Sequence, residues 1–415
     1  MDHSIRTMTL NIDIPFRQLG ACPLCYSRSL ELLITLPNYP LTEFLVDIAH
    51  VNGLTLDNSV AFCAQCSHAF LSSQIDPGFL YSSNYRTSSK TDSSFSVFER
   101  LFDKLDSFDV FSEKKMVIDI GANDGTFLRY LKNKLPSKRF YGIDPIWNSE
   151  EQTDKIEGFT GFFDSEEAIS SIPEVFPRLY LATHVLEHIA SPQRFLEQFA
   201  KILALGDQLL LVFPSLEGLV YDSRIESVHH QHFHYFSHKS FELLCEPLGL
   251  RIVRSWIDFE HYGAACVLVS RKQEVISKHD GWGEFSSTLG FSSSPSQLQN
   301  WFADSKHLFD QNIEAINLQL SLHRHVGIGG GALMSPILFY YLQPWSTFEH
   351  VYDDDKTKVG LHYANSPRAI EMTPQTLRGK RVVVLGSVSK QTGRKLFLRA
   401  TQLEAHSIAF PVIGA

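Results

Sequence analysis

Hydrophobic residues in this chain fall into short runs and helical stripes that alternate through its middle third. In KKMVIDIGANDGTFLRYL, Val117 to Ile120 reads as a buried strand and Gly121 to Gly125 as a turn. Phe127, Leu128 and Leu131 then form the apolar stripe of a helix that Thr126 is placed to cap. RFYGIDP is a second strand ending at Asp144, and RLYLATHVLEH a third, followed by a helix from about Pro192 to Leu205. QLLLVFP is a fourth, a helix begins near Ser237, and LRIVRSWID with GAACVLVSR reads as a terminal hairpin. Such alternation predicts a parallel, doubly wound α/β sheet. Upstream, Phe95, Phe98, Phe102 and Leu105 recur at helical spacing, and ELLITLPNYPLTEFLV suggests a hairpin. Downstream, a long helix from about Pro295 leads to HVGIGGGALMSPILFYYL, another strand, glycine turn and helix, and then to strands in EHVYDDD and KRVVVLGS.

The length, 415 residues, predicts two or three domains. Hydrophobic residues at 44% and charged residues at 20% are ordinary for a folded protein. The net charge of −9 argues against a broad nucleic-acid surface, and with it against a zinc-ribbon RNA methyltransferase. No stretch approaches the ~18 consecutive apolar residues of a membrane span. MDHSIRTMTLNIDIPF lacks the apolar core of a signal peptide, so a soluble, cytoplasmic protein is expected.

Four of the six cysteines form two CxxC pairs, Cys22/Cys25 and Cys63/Cys66. Each pair can aim two thiolates at one point, and together they complete the S4 shell that structural zinc prefers. The bland alternatives are unrelated reduced thiols, or one redox pair beside a coincidence. The turn reads DxGxxxG rather than GxGxxG: it lacks the glycine that packs a pyrophosphate helix close to its strand, and it carries two carboxylates. Carboxylates repel a pyrophosphate but suit a ligand with a cationic amino-acid tail and a ribose, such as S-adenosylmethionine. Asp144 is placed to accept both ribose hydroxyls. The fold expected is a class I methyltransferase core, with a nucleotide-binding domain of another kind as the alternative. Its cofactor-binding residues would be Asp119, Gly121, Asn123, Asp124, Gly125, Asp144 and Thr183. His188 in HVLEH stands at a strand end. HHQHFHYFS gathers His229, His230, His232 and His234, which could be a solvated loop or a second metal site but best suits a general base.

The whole arrangement resembles the sugar C-methyltransferases that act on nucleotide-linked keto-deoxysugars. The matching pieces are the paired CxxC knuckles, IDIGANDGTFL, GIDP, HVLEH, the HxHxxYFS segment, VGIGGGA and VYDDDKTKVG. The resemblance implies a base at His232, a second active-site histidine at His188 and a lid tyrosine at Tyr85. It also implies a second Rossmann-like domain, without its own cofactor, that grips the nucleotide. This chain departs from the family at Gln231, where a glutamate is usual, at His229, where a tyrosine is usual, and at VVVLGSVSKQTGRKL, where an Asn-containing strand end is usual. Gln231 is expected to hold His232 by a hydrogen bond.

The expected layout is a zinc module and lid segment over 1–90, a methyltransferase domain over 91–275 and a Rossmann-like substrate domain over 276–415. The expected partner is a small molecule, with neither nucleic acid nor membrane. Methylation of another small metabolite, or a scaffold that has lost catalysis, are the competing readings.

Overall fold

The computed structural model describes residues 13–47, 54–81, 92–148, 156–261, 263–273, 279–289, 294–329, 333–342, 348–366, 368–385 and 390–409. At its centre is an eight-stranded sheet. From one edge to the other its strands are His279–Asp280, Leu250–Asp258, Ala264–Arg271, Gln208–Pro214, Arg178–Thr183, Met116–Ile120, Arg139–Asp144 and Glu157–Thr160. All neighbours run parallel except Ala264–Arg271, which is antiparallel to both of its partners. The chain starts at Met116–Ile120, builds outward to Glu157–Thr160, then returns to place Arg178–Thr183 on the other side. That reversal opens a crevice beyond the strands' C-terminal ends.

Side chains alternate across each strand. Met116, Ile118 and Ile120 join one apolar layer with the helix Pro192–Ile202, whose Phe195, Leu196 and Phe199 are buried. Val117, Leu179 and Leu210 join the other with Leu101 and Leu105 of the helix Asp92–Ser107 and with Phe127 and Leu131 of the helix Thr126–Lys134. Thr126 is not the cap of that helix. Gly125 occupies the cap position in the left-handed region, and the Asp124 carboxylate accepts from the Thr126 backbone N–H at 3.0 Å and its hydroxyl at 2.6 Å. The sheet also runs past the expected boundary at residue 275: His279–Asp280 adds a strand, and Trp282 is wholly buried in this core.

The N-terminal segment forms a four-stranded antiparallel sheet in the order His234–Tyr235, His68–Leu71, Thr55–Cys63, Leu30–Pro40. Leu30–Pro40 therefore pairs with Thr55–Cys63 rather than closing a hairpin of its own, and Leu45–Val46 pairs with His362–Tyr363 far along the chain. Beyond the long helix Pro295–Leu322, five parallel strands are ordered Ile370–Met372, Phe348–Asp353, His325–Ile328, Arg381–Val384, Ser407–Ala409. Leu36, Phe44 and Phe62 share one core with Phe302, Phe309, Phe339 and Tyr363. The N-terminal sheet and the C-terminal unit are thus packed together through one apolar core. No helix among the described residues is long and apolar enough to cross a membrane.

Candidate functional site

A cavity of about 1160 Å³ occupies the crevice at the sheet reversal. It is larger than the roughly 300–1,000 Å³ of most small-molecule sites, enough for two ligands side by side. Its floor is the glycine turn. Gly121 has φ 74°, and a Cβ there would meet the Val185 side chain at 2.5 Å, so only glycine lets the backbone approach the cavity. The backbone N–H groups of Asn123 and Ile146 donate to the two Asp144 carboxylate oxygens at 2.9 and 2.8 Å, fixing the carboxylate at the cavity wall. Burial raises the Asp144 pKa. Asp119 follows Val117 on the same strand face, in an apolar layer, and is only 2% exposed. Its Oδ1 has no hydrogen-bond partner among the described residues, and burial, with Asp144 close by, drives its pKa well above the usual range. A buried carboxylate oxygen that lacks a donor, beside a fixed second carboxylate, is the complement of a ligand with a cationic head and a diol.

Thr183, Asn123, Asp119, Gly121 and Asp144 line this cavity. Asp124 and Gly125 do not; they serve the helix start, with Arg129 also bonded to the Asp124 carbonyl. Ile146 and Phe162, 56% and 50% exposed, offer apolar faces at the rim near Asp164. Sequence reading passed over these three, although GFFDS, which holds Phe162 and Asp164, follows a strand and carries a carboxylate.

The histidines are sorted by the docking of the loop on the N-terminal sheet. The Val228 carbonyl accepts from Asn58 at 3.0 Å, and His230 Nε2 donates to the Leu56 carbonyl at 2.9 Å. The Phe233 carbonyl accepts from the Leu71 N–H at 2.9 Å. His234 lies between the Ile189 carbonyl at 2.9 Å and His68 at 3.0 Å, and Ser237 donates to the Ser67 carbonyl at 2.8 Å. These residues are scaffold. His229 and His232 face the cavity, with ring centroids 3.9 Å apart, and His188 stands 5.2 Å from His232.

Gln231 does not hold His232. Its Oε1 accepts from the Thr42 hydroxyl at 2.6 Å and its Nε2 donates to the Thr42 carbonyl at 2.8 Å, turning the side chain away from the cavity. The Ser227 carbonyl orients His232 instead, accepting from Nδ1 at 3.1 Å, and the Gln231 backbone carbonyl does the same for His188 at 2.7 Å. Both rings thus keep an Nε2 lone pair, and burial lowers the pKa of each. Burial also lowers His229, to about 3. Tyr85 lies outside the described residues. Tyr81, nearby in sequence, lines the cavity and meets His188 edge-on at 6.3 Å. His184, Glu187 and His261 were missed by sequence reading. His184 bonds Glu187 at 2.9 Å and His261 at 2.7 Å. The signal was the first histidine and the glutamate of HVLEH, three positions apart.

The four paired cysteines converge, with Cys22 3.5 Å from Cys66 and Cys25 3.5 Å from Cys63 between sulfurs, and all four sulfurs lie within 4.8 Å of one another. A tetrahedral zinc with ~2.3 Å bonds needs sulfurs about 3.8 Å apart. The hydrogen bond from Cys66 lowers the Cys22 thiol to about 6. The donor set fits the metal.

Residues 96–255 match the family model described as a methyltransferase domain. The C-methyltransferase NovU of Streptomyces niveus is 24% identical over 262 residues, which cover 61% of this chain and 61% of that protein. The match thus spans less than two thirds of the relative's length. Among solved structures, human N-acetylserotonin methyltransferase bound to SAM aligns with a TM-score of 0.32 at 14% identity, covering 44% of this chain and 57% of that one. An O-methyltransferase family protein from Burkholderia thailandensis aligns with a TM-score of 0.36 at 13% identity, covering 44% and 58%. The segment 96–255 is thus similar to methyltransferase domains.

Proposed function

We propose that this chain transfers the methyl group of S-adenosylmethionine to a carbon of a nucleotide-linked keto-deoxysugar. The observation that carries the reading is the orientation of His232. Its Nδ1 is committed to the Ser227 carbonyl, so its Nε2 lone pair faces the cavity that Asp119, Gly121 and Asp144 also line. A neutral imidazole in that position is a general base, removing the proton next to a ketone so that the resulting enolate carbon attacks the methyl group. The cofactor supplies an electrophilic methyl carbon. Asp144 would accept the ribose hydroxyls, and Asp119 would face the cationic portion. His188, His229 and, by family resemblance, the Tyr85 lid would position the sugar.

Cys22, Cys25, Cys63 and Cys66 would hold a structural zinc. The sheet they anchor also carries the histidine loop, so the metal's role would be to set the base. The five-stranded C-terminal unit would grip the nucleotide, as a Rossmann-like domain does in the family the sequence resembles. C-methylation is also the activity in the name of the NovU relative.

Mass spectrometry of products from a panel of keto-sugar nucleotides tests this reading. One substrate should gain a methyl group on carbon. His232→Ala should depress turnover by ~100- to 10,000-fold while leaving cofactor affinity intact. Normal turnover in that variant removes the base assignment. A panel without any methylated product removes the sugar.

A further inference from the structure

We propose that Glu187, His188 and His232 form a second metal site, open to the substrate cavity, for a divalent first-row transition ion. One ligand atom from each of the three lies within 4.8 Å of the others. Both imidazoles have spent their Nδ1 protons on backbone carbonyls, Gln231 at 2.7 Å and Ser227 at 3.1 Å, so each presents an Nε2 lone pair. Glu187 is 0% exposed. One of its oxygens, Oε1, accepts from His184 at 2.9 Å and lies 3.9 Å from His188 Nε2. The other, Oε2, is buried without a partner among the described residues.

Two imidazole lone pairs at the cavity wall therefore converge on a buried carboxylate whose Oε2 has no donor among the described residues. A cation placed between them would satisfy that oxygen and both lone pairs at once.

The pieces are built for a cation in other ways. Glu187 and His188 are adjacent in the short 3-10 turn Leu186–His188, and the Phe233 N–H donates to the Glu187 carbonyl at 2.7 Å, tying the turn to the residue after His232. His184 bonds the carboxylate from behind and is itself bonded to His261 at 2.7 Å, the outer-shell arrangement that orients metal-ligating groups. Two imidazoles and one carboxylate suit zinc, iron or cobalt, and leave coordination positions facing the cavity. Ligand atoms on a tetrahedral ion would sit about 3.4 Å apart, a contraction reached by small side-chain rotations. While an ion is bound, the His232 lone pair is occupied. The ion and the proton-abstracting role then exclude one another, and the ion acts as a reversible inhibitor. That last step rests on the base assignment made above; binding of the ion does not.

The test is a titration of Co2+ into the full-length protein with its cysteine site already filled with zinc. One further ion per chain is expected, with visible d–d bands and without the thiolate charge-transfer band of a cysteine site. Glu187→Gln and His188→Gln should each weaken that ion at least ~10-fold, and His232→Gln, on a separate segment, provides a third variant should either of these not fold. Methylation should slow as the ion binds and recover when a weak chelator removes it. The proposal is overturned if no further ion binds. It is equally overturned if the further ion survives all three substitutions and is lost in Asp280→Asn, which would place it at the surface trio His238, Glu242 and Asp280. Binding as expected with unchanged turnover would keep the metal site and remove the base assignment instead.

Discussion

Asp119 makes the cofactor pocket sensitive to pH in a direction the structure specifies. Its carboxyl is buried, its Oδ1 lacks a partner among the described residues, and Asp144 adds like charge, so its pKa stands well above the usual carboxylate range. A bound cationic group favours the ionised form and pulls that pKa down. Between the free and bound values, therefore, S-adenosylmethionine binding should release a proton, and each pH unit lost there should cost up to about 1.4 kcal/mol, or tenfold in affinity. Above the raised pKa of the free protein the affinity should level off. Asp119→Asn keeps the shape but loses the charge, and a hydrogen bond to a charged group is worth ~1.5–3 kcal/mol, or roughly 10- to 150-fold in Kd. Calorimetry in buffers of different ionisation enthalpy counts the protons directly. If binding moves no proton in the wild type and Asp119→Asn binds as tightly, the carboxylate does not face the cationic group.

Three further outcomes follow from the packing. Gln231→Glu restores the family's residue yet should destabilise the chain by about 1–3 kcal/mol, because the Thr42 carbonyl loses its donor and faces a carboxylate; chemical denaturation measures this. Gly218→Ala should cost about 1–3 kcal/mol or more by the same assay, since its Cβ would overlap the Gly263 carbonyl oxygen, itself held by Ser215 at 2.8 Å. Cys63→Ser should lower both zinc content and turnover, the latter by about tenfold, while cofactor affinity measured by calorimetry stays near wild type. Unchanged turnover in a zinc-free Cys63→Ser protein would separate the metal from the catalytic loop.

What was legible in the sequence was local. Val117 to Ile120 forms a strand because apolar residues lie on both of its faces, and the Asp144 carboxylate follows the turn at a distance set by one helix and one strand. The helix start was a near miss: Gly125 takes the cap position, and the Asp124 carboxylate accepts from the Thr126 side chain that sequence reading made the cap. The roles of the histidines were not local at all. Which of His229, His230, His232 and His234 faces the cavity depends on Leu56, Asn58, His68 and Leu71, more than 150 positions away, and no periodicity in HHQHFHYFS records that. Gln231 was misplaced for the same reason, since Thr42 lies 189 positions from it.

The distant contacts also show what the cysteine-bearing N-terminal sheet does for the histidine loop. A catalytic base must be held within a fraction of an ångström, and a free loop of nine residues rich in histidine would sample many shapes. Here the loop is stitched to the N-terminal sheet at Val228, His230, Gln231, Phe233, His234 and Ser237, leaving His229 and His232 as the side chains turned inward. The strand His68–Leu71, which accepts the loop as its neighbour, begins two residues after Cys66. Rigidity imposed at the four sulfurs by a metal would therefore reach His232 through that strand and its ladder. The pocket lined by Asp119 and Asp144 and the proposed base at His232 rest largely on different parts of the chain, joined where the Phe233 N–H donates to the Glu187 carbonyl at 2.7 Å and His234 bonds the Ile189 carbonyl at 2.9 Å. For that reason a change at the cysteines should reach turnover before it reaches cofactor binding.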